Sequence, residues 1–257
     1  MPSLKASERH QQILETLRNQ GRVEVEELAA LLGVSSVTIR TDLHFLEREQ
    51  IVRRVRGGAI ATKSSRYERP LELTASLQSA EKDRIGARAA EMISDGATII
   101  MDTGTTIGAL VHNFPKNVTD VAVVTNALNV ASDLSLHSGV TVIVTGGTLK
   151  PRINSMVSPF GTLVLKEINA DIAFMSCSGI DPLKGFTNSN WQEAEIKQQM
   201  IRAARRTIFL ADHSKLKHVA TARIADLTDA DLLITDSGAS PDILREIKGA
   251  GLDVVVA

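Results

Sequence analysis

From Glu81 to Ala257, short apolar runs alternate with amphipathic stretches of helical period, and no other feature of this chain restricts its fold so strongly. The pattern predicts a helix over Glu81–Ser94, a strand over Ala97–Met101, a helix after Thr105 and a strand over Val121–Val124. It continues to the terminal LDVVVA. A short run that is apolar at every position fits a strand covered on both faces, and strands alternating with helices imply a parallel α/β sheet. Aromatic residues make up only 3 % of the 257, so runs such as ATIIMD, VAVVT, VTVIVT and DVVVA must supply an aliphatic core.

The first sixty residues follow a different rule. Ser7 starts a helix with Ile13, Leu14 and Leu17 on one side, and Gly21 stops it. A β-like piece at Val23 and Val25 precedes EELAALLGV, a second helix with Leu28, Leu31 and Leu32 inward and Gly33 as terminator. Ser35 can cap a third helix, whose apolar positions Ile39, Leu43 and Leu46 fall at i, i+4 and i+7. IVRRVRGGAI then reads as two short strands around a turn. Helix, helix, glycine-containing turn, helix, hairpin is the order of a winged helix-turn-helix. Residues 62–80 break both periodicities, with Pro70 limiting helix, and are expected to be a linker. The expected domains are therefore 1–61, the linker 62–80, and 81–257.

The formal net charge is only −1, yet twelve basic residues stand against nine acidic ones up to Arg69, leaving seventeen against twenty-one beyond it. The excess is local. Successive helical residues are rotated by about 100°, so with Ile39, Leu43 and Leu46 inward the third helix presents Ser36, Val37, Arg40, Thr41 and His44 outward. Arg40 can donate in bidentate fashion to guanine or to phosphate. Hydroxyls bond backbone or bases, and the methyls of Val37 and Thr41 can meet thymine. Arg53, Arg54 and Arg56 in the hairpin would run along the phosphates, with Gly57 and Gly58 allowing the turn and a close approach.

VSSVTIRTDLHFLEREQIVRRVRGGA resembles the signature of the DeoR family of bacterial transcriptional regulators. Val34, Ser35, Thr38, Ile39, Arg40, Asp42, Leu43, Leu46, Glu47, Arg53 or Arg54, Gly57, Gly58 and Ala59 match it. Thr41 stands where members often carry a second basic residue, and Arg56 where they often carry histidine. The resemblance implies double-stranded operator DNA as partner. Together with the outward face and the wing, the expected contacting residues are Ser35, Ser36, Val37, Thr38, Arg40, Thr41, His44, Arg53, Arg54 and Arg56.

In the second domain ATIIMDTGTTIGALV reads strand, small-residue loop, helix. Such a loop offers free N–H groups and the positive end of a helix dipole to an anion. Thr103, Thr105 and Thr106 add hydroxyls, and Gly104 lets the loop wrap closely. Further corners carry Thr125 and Asn126, Gly146 and Gly147, Asp181 and Asn188, Glu193, and Lys215. Most follow strand-like runs, so they would gather at the carboxyl edge of the sheet, where open α/β folds bind ligands. Lys215 suits phosphate as a point charge, and Asp102, Asp181 and Glu193 suit sugar hydroxyls. DTGTT, TGGTL, GID with GFTN, EAEIK and ADHSK resemble the DeoR effector domain. That likeness implies a Rossmann-like parallel-sheet fold similar to ribose-5-phosphate isomerase, and a phosphorylated sugar held by Asp102–Thr106 and Lys215. Contacts from Arg152 or Ser155 stay open.

Cys177 is the only cysteine and lies in an apolar run, so no internal disulfide forms and a buried, inert thiol is expected. The six histidines lack metal-ligand spacing. There is no apolar leader, no run near the roughly 20 residues of a membrane span, and no Walker or G-x-S-x-G sequence. The expectation is a cytoplasmic, non-enzymatic, cofactor-free repressor of a sugar-utilisation operon, acting as a homodimer or homotetramer because one helix-turn-helix reads a half-site. The alternative is a sugar-phosphate isomerase or deaminase fused to a DNA-binding module, with Glu193 as its base.

Overall fold

The computed structural model describes residues 6–49, 51–61, 71–75, 77–157 and 159–257. The chain divides into two units, Met1–Leu77 and Gln78–Ala257.

In the first unit α1 (Ala6–Gln20) ends where Gly21 adopts φ 72°. Then come β1 (Arg22–Glu24), α2 (Val25–Leu32) and α3 (Ser36–Arg48). Val25, expected in the β-like piece, begins α2 instead. Gly33 closes α2 in the left-handed region at φ 63° and bonds back to Ala29 O. Ser35 caps α3, its Oγ accepting the Thr38 N–H at 3.1 Å. The strands β2 (Val52–Val55) and β3 (Gly58–Ala61) form the hairpin, and β1 joins it in the antiparallel order β1-β3-β2. At Gly58 a Cβ would stand 1.9 Å from Val23 O, so only glycine lets β3 lie this close to β1. Ile39, Leu43 and Leu46 are fully buried together with Ile13, Leu17, Leu28 and Val52.

One inward position of α3 is polar. Asp42 accepts from Arg9 Nε at 2.8 Å and Arg9 Nη2 at 3.0 Å, and its Oδ1 lies 3.0 Å from His10 Nε2. His10 in turn stacks on Phe45, with ring centroids 4.9 Å apart. The Asp42 hydrogen bonds hold the Arg9 guanidinium above its ordinary pKa. A charged knot thus joins α1 to α3 where periodicity alone anticipates an apolar contact.

Of the expected linker, 62–70 and with it Pro70 lie outside the described residues. Residues Leu71–Ala75 form the helix α4, and Leu77 is buried in the apolar cluster that holds Ile13 and Leu17.

The second unit opens with α5 (Ser79–Ala90), β4 (Thr98–Met101), α6 (Thr105–His112), β5 (Val121–Thr125), α7 (Leu128–Leu134) and β6 (Val140–Val144). A hairpin, β7 (Thr148–Lys150) and β8 (Ser155–Val157), precedes α8 (Phe160–Lys166) and β9 (Ala170–Met175). After β10 (Gly179–Asp181), β11 (Gly185–Asn188) and α9 (Trp191–Arg202), the chain runs through β12 (Ala204–Leu210), β13 (Ala222–Ala225), β14 (Leu232–Thr235), α10 (Pro241–Gly249) and β15 (Asp253–Val256).

Seven strands make one sheet in the order β15-β14-β12-β9-β4-β5-β6, and every pairing in it is parallel. Alternate residues feed two apolar layers. Ile99, Met101, Val123 and Phe174 pack on one face, Ile100, Val124, Ala173 and Met175 on the other. The chain winds from β4 outward to β6, then returns to β9 on the other side of β4 and winds outward to β15. The direction reverses between β4 and β9, which makes their carboxyl ends the switch point where such sheets bind ligands.

Candidate functional site

In the first unit, the outward side of α3 carries Val37, Arg40, Thr41 and His44, all exposed. The hydroxyls of Ser35 and Thr38 are bonded to each other at 2.9 Å within the cap, so their work is to start the helix. Thr41 Oγ1 donates back to Val37 O at 3.0 Å. Glu26, in the first turn of α2, accepts from Ser36 Oγ at 2.6 Å and stands 3.5 Å from Arg40 Nη2. Arg40 and His44 are therefore the long polar side chains of this face.

Arg53, Arg54 and Arg56 are all exposed. Arg53 and Arg54 are neighbours in β2, paired with Ile60 and Ala59, so they leave the ribbon on opposite faces. The Arg54 N–H donates to Glu47 Oε1 at 2.9 Å, which ties the wing to the last turns of α3.

In the second unit, Asp102 follows β4 and is fully buried. Its Oδ2 accepts from Ser176 N at 2.9 Å and pairs with the ammonium of Lys197, itself 1 % exposed. Lys197 Nζ lies 3.2 Å from Ser176 Oγ and 3.3 Å from Ser176 O. Ser176 Oγ sits 2.9 Å from Asp102 Oδ2 and 2.7 Å from Thr103 O, and its single proton serves one of them. Gly104 holds φ 120°, and a Cβ there would meet Ser176 Oγ at 3.1 Å. No side chain caps α6 at Gly104, so its first N–H groups have no side-chain acceptor there. Thr105 borders the surface, and Thr106 is buried. Thr103 Oγ1 is committed to Ile153 O at 3.1 Å.

At the end of β5, Thr125 Oγ1 accepts the Ala127 N–H at 3.1 Å, a turn bond inside the fold. Asn126 Nδ2 donates to Ser155 Oγ at 3.0 Å and to Met156 O at 3.2 Å. Ser155 thereby serves to hold Asn126, and it is fully buried. Gly146 and Gly147 carry the chain at positive φ from β6 into the β7–β8 hairpin. Beyond β12, Lys215 is half-buried in a single 3-10 turn that Asp212 opens, its Oδ1 accepting Ser214 N at 3.0 Å. Asp236 anchors this turn through His213 N at 2.7 Å and His213 Nδ1 at 2.8 Å. Burial pushes the Asp236 carboxyl up, but hydrogen bonds from His213 and Gly238 outweigh it and hold the pKa below its ordinary value.

Two expected corners belong to the separate sheet β10-β11-β13. Asp181 accepts the N–H groups of Leu183 and Lys184, both at 2.9 Å, and so builds the antiparallel β10–β11 turn. Asn188, at the end of β11, donates to Glu193 Oε2 at 2.9 Å, which gives α9 a buried polar start. Burial pushes the Cys177 thiol up to about 12. Lys197 and Lys215 pull that value down, and Asp102 and Asp212 push it up, so all four charges act on this one sulfur.

Of the buried side-chain oxygens without a hydrogen-bond partner among the described residues, three stand at this edge: Asp102 Oδ1, Asn126 Oδ1 and Asp212 Oδ2. They follow β4, β5 and β12, strands that lie with β9 side by side in the sheet. Lys197, Ser176 and Asp212 are not among the expected site residues, although EAEIK and ADHSK contain Lys197 and Asp212. The available signal was Lys197 four residues after Glu193, on the same buried stripe as Ala194 and Met200.

A helix-turn-helix with a cationic wing, carried on one chain with a parallel-sheet unit whose switch point is polar, defines a ligand-responsive transcriptional regulator. The chain belongs to the DeoR family: residues 9–65 match the DeoR-like helix-turn-helix domain and residues 77–237 the DeoR C terminal sensor domain. It is 36 % identical to a putative aga operon transcriptional repressor of Escherichia coli, over 97 % of this chain and 93 % of that one. It is 32 % identical to the glycerol-3-phosphate regulon repressor of Escherichia coli, over 91 % and 92 %. Ribose 5-phosphate isomerase from Plasmodium falciparum superposes on 52 % of each chain with 16 % identity and a TM-score of 0.38, too distant a likeness to speak for function. Among the described residues no helix is long and apolar enough to cross a membrane.

Proposed function

We propose that this protein represses a sugar-utilisation operon, and that a phosphorylated sugar bound at the carboxyl edge of β12, β9, β4 and β5 sets its operator affinity. One observation carries the reading: Asp102 Oδ1, Asn126 Oδ1 and Asp212 Oδ2 are buried acceptors without partners among the described residues, and Lys215 lies in the turn that Asp212 opens. A buried acceptor left unmade costs about 1–3 kcal/mol. Three of them along an edge about 14 Å wide call for a molecule with several hydroxyl donors. The uncapped start of α6 and the Lys215 ammonium call for an anion on it. Two protomers read the two halves of an operator, α3 in the major groove and the wing on the backbone. The effector acts by binding the two DNA-affinity forms unequally, a coupling of typically about 1–3 kcal/mol.

A thermal-shift panel of glycerol 3-phosphate, ribose 5-phosphate, fructose 6-phosphate and glucosamine 6-phosphate tests the effector. A true ligand at a hundred times its Kd adds about 2.7 kcal/mol, a rise of roughly 5–10 °C at about 2–4 °C per kcal/mol. Lys215→Ala removes at least nine-tenths of the affinity for that ligand and leaves DNA binding intact. No rise with any sugar phosphate, or an undiminished response in the variant, defeats the assignment.

Arg40→Ala tests the reading helix. Discrimination between operator and scrambled duplex falls by about 1–3 kcal/mol, or roughly 5–150-fold. Fluorescence anisotropy on the two duplexes at equal salt measures it, and an unchanged ratio removes Arg40 from base contact.

A further inference from the structure

We propose that Lys197 is a positioning residue of the effector site: it neutralises Asp102 from below, so that an anion and a hydroxyl can be bound beside a carboxylate that would otherwise repel the anion. This rests on the sugar-phosphate reading above.

An ammonium that is 1 % exposed needs a counter-charge, and Asp102 is the carboxylate paired with it. Every bond that Lys197 and Ser176 make to Asp102 goes to Oδ2. The carboxylate is thereby fixed from one side, and Oδ1 is left buried without a partner among the described residues. Asp102 precedes by two residues the uncapped start of α6 at Gly104, where the helix dipole favours negative charge. A bare carboxylate in that place would cancel the attraction. Paired with Lys197 it adds no net charge, keeps the hydrogen-bonding power of an ionised oxygen, and turns that oxygen to a neutral donor. Lys197 therefore selects for a ligand that brings both an anionic group and a hydroxyl. It also makes the first turns of α9, through Lys197 and Glu193, part of the same polar floor.

The side chains bonded to Asp102 are Lys197 from α9 and Ser176 after β9, and the charges that act with Asp102 and Lys197 on the Cys177 sulfur are Asp212 and Lys215 in the turn after β12. All but Lys197 and Asp102 are unchanged in the variants titrated. Full-length wild type, Lys197→Gln, and the double variant Asp102→Asn with Lys197→Gln are titrated calorimetrically at pH 8. The probe is whichever panel sugar phosphate stabilises the wild type most. Lys197→Gln binds at least tenfold more weakly than wild type, because an unpaired Asp102 stands beside the anion. The double variant has no charge there to repel the probe. It recovers at least threefold of the affinity lost in Lys197→Gln, although it gives up the charged acceptor. A Lys197 that served packing alone would leave a deficit that Asp102→Asn does not repair. Wild-type affinity in Lys197→Gln, or an equal deficit in the double variant, overturns the proposal. If Lys197→Gln does not fold, a deficit of tenfold or more in the double variant overturns it and a smaller one supports it. A wild type that binds no panel member defeats the sugar-phosphate reading and this proposal with it, whereas a binding wild type with unaffected variants defeats this proposal alone.

Discussion

Arg53, Arg54 and Arg56 replaced together by alanine will weaken binding to every duplex by at least about a hundredfold, operator and scrambled sequence alike. The wing geometry sets this size. Arg53 and Arg54 leave β2 on opposite faces, and Arg56 stands at the turn, so two of the three can follow one phosphate track. Each charged hydrogen bond contributes about 1.5–3 kcal/mol, and each phosphate contact adds about 0.9 to the slope of log affinity against log salt. The slope should therefore fall by about 1.8 rather than by about 2.7. Anisotropy titrations between 50 and 200 mM salt, roughly the range over which such slopes are read, give both quantities. Arg53→Ala and Arg54→Ala singly should differ from each other, since one faces the duplex and the other solvent. A triple variant with unchanged slope would take the wing off the backbone altogether.

Asp42→Ala will unfold the DNA-binding unit at temperatures where the second unit stays folded. The carboxylate is 5 % exposed, and it holds Arg9 by two bonds and His10 by a third. Removing one partner of a buried ion pair leaves the other charge uncompensated, at a cost of about 3–5 kcal/mol. For a unit of this size each kcal/mol moves the midpoint by about 4–8 °C, so calorimetry should place its transition more than about 10 °C lower. Operator binding disappears with it, while the effector still stabilises the second unit. A shift below about 2 °C would mean that Arg9 and His10 find water as easily as they find Asp42.

The sequence carries the period of its elements and therefore much of the fold. Ile39, Leu43 and Leu46 face inward as their spacing requires, and Ser35 caps the helix they belong to. The apolar runs ATIIM, VAVVT and DVVV become strands of one parallel sheet. Charged residues on inward positions were not legible in the same way. Asp42 and Lys197 fall on buried stripes, and periodicity has no term for what a buried charge is paired with. Their partners are 33 and 95 positions away. The setting of Asp181 and Asn188 was illegible for a related reason. A Gly- or Asn-rich corner after an apolar run looks the same whether its strand joins the central sheet or a small antiparallel one.

The sequence by itself determined two things: an apolar-striped, arginine-edged unit that reads as a winged helix-turn-helix, and an alternating unit that must close as a parallel sheet. Both follow from local rules, the rotation per residue and the chemistry of caps. Only the tertiary structure decided that β9 lies beside β4. That pairing brings Ser176 and Lys197 onto Asp102 and leaves Asp102 Oδ1 and Asn126 Oδ1 on neighbouring strand ends without partners among the described residues. Strand order depends on which apolar faces and which buried charges satisfy one another across the whole chain, and no window of sequence contains both halves of such a pair.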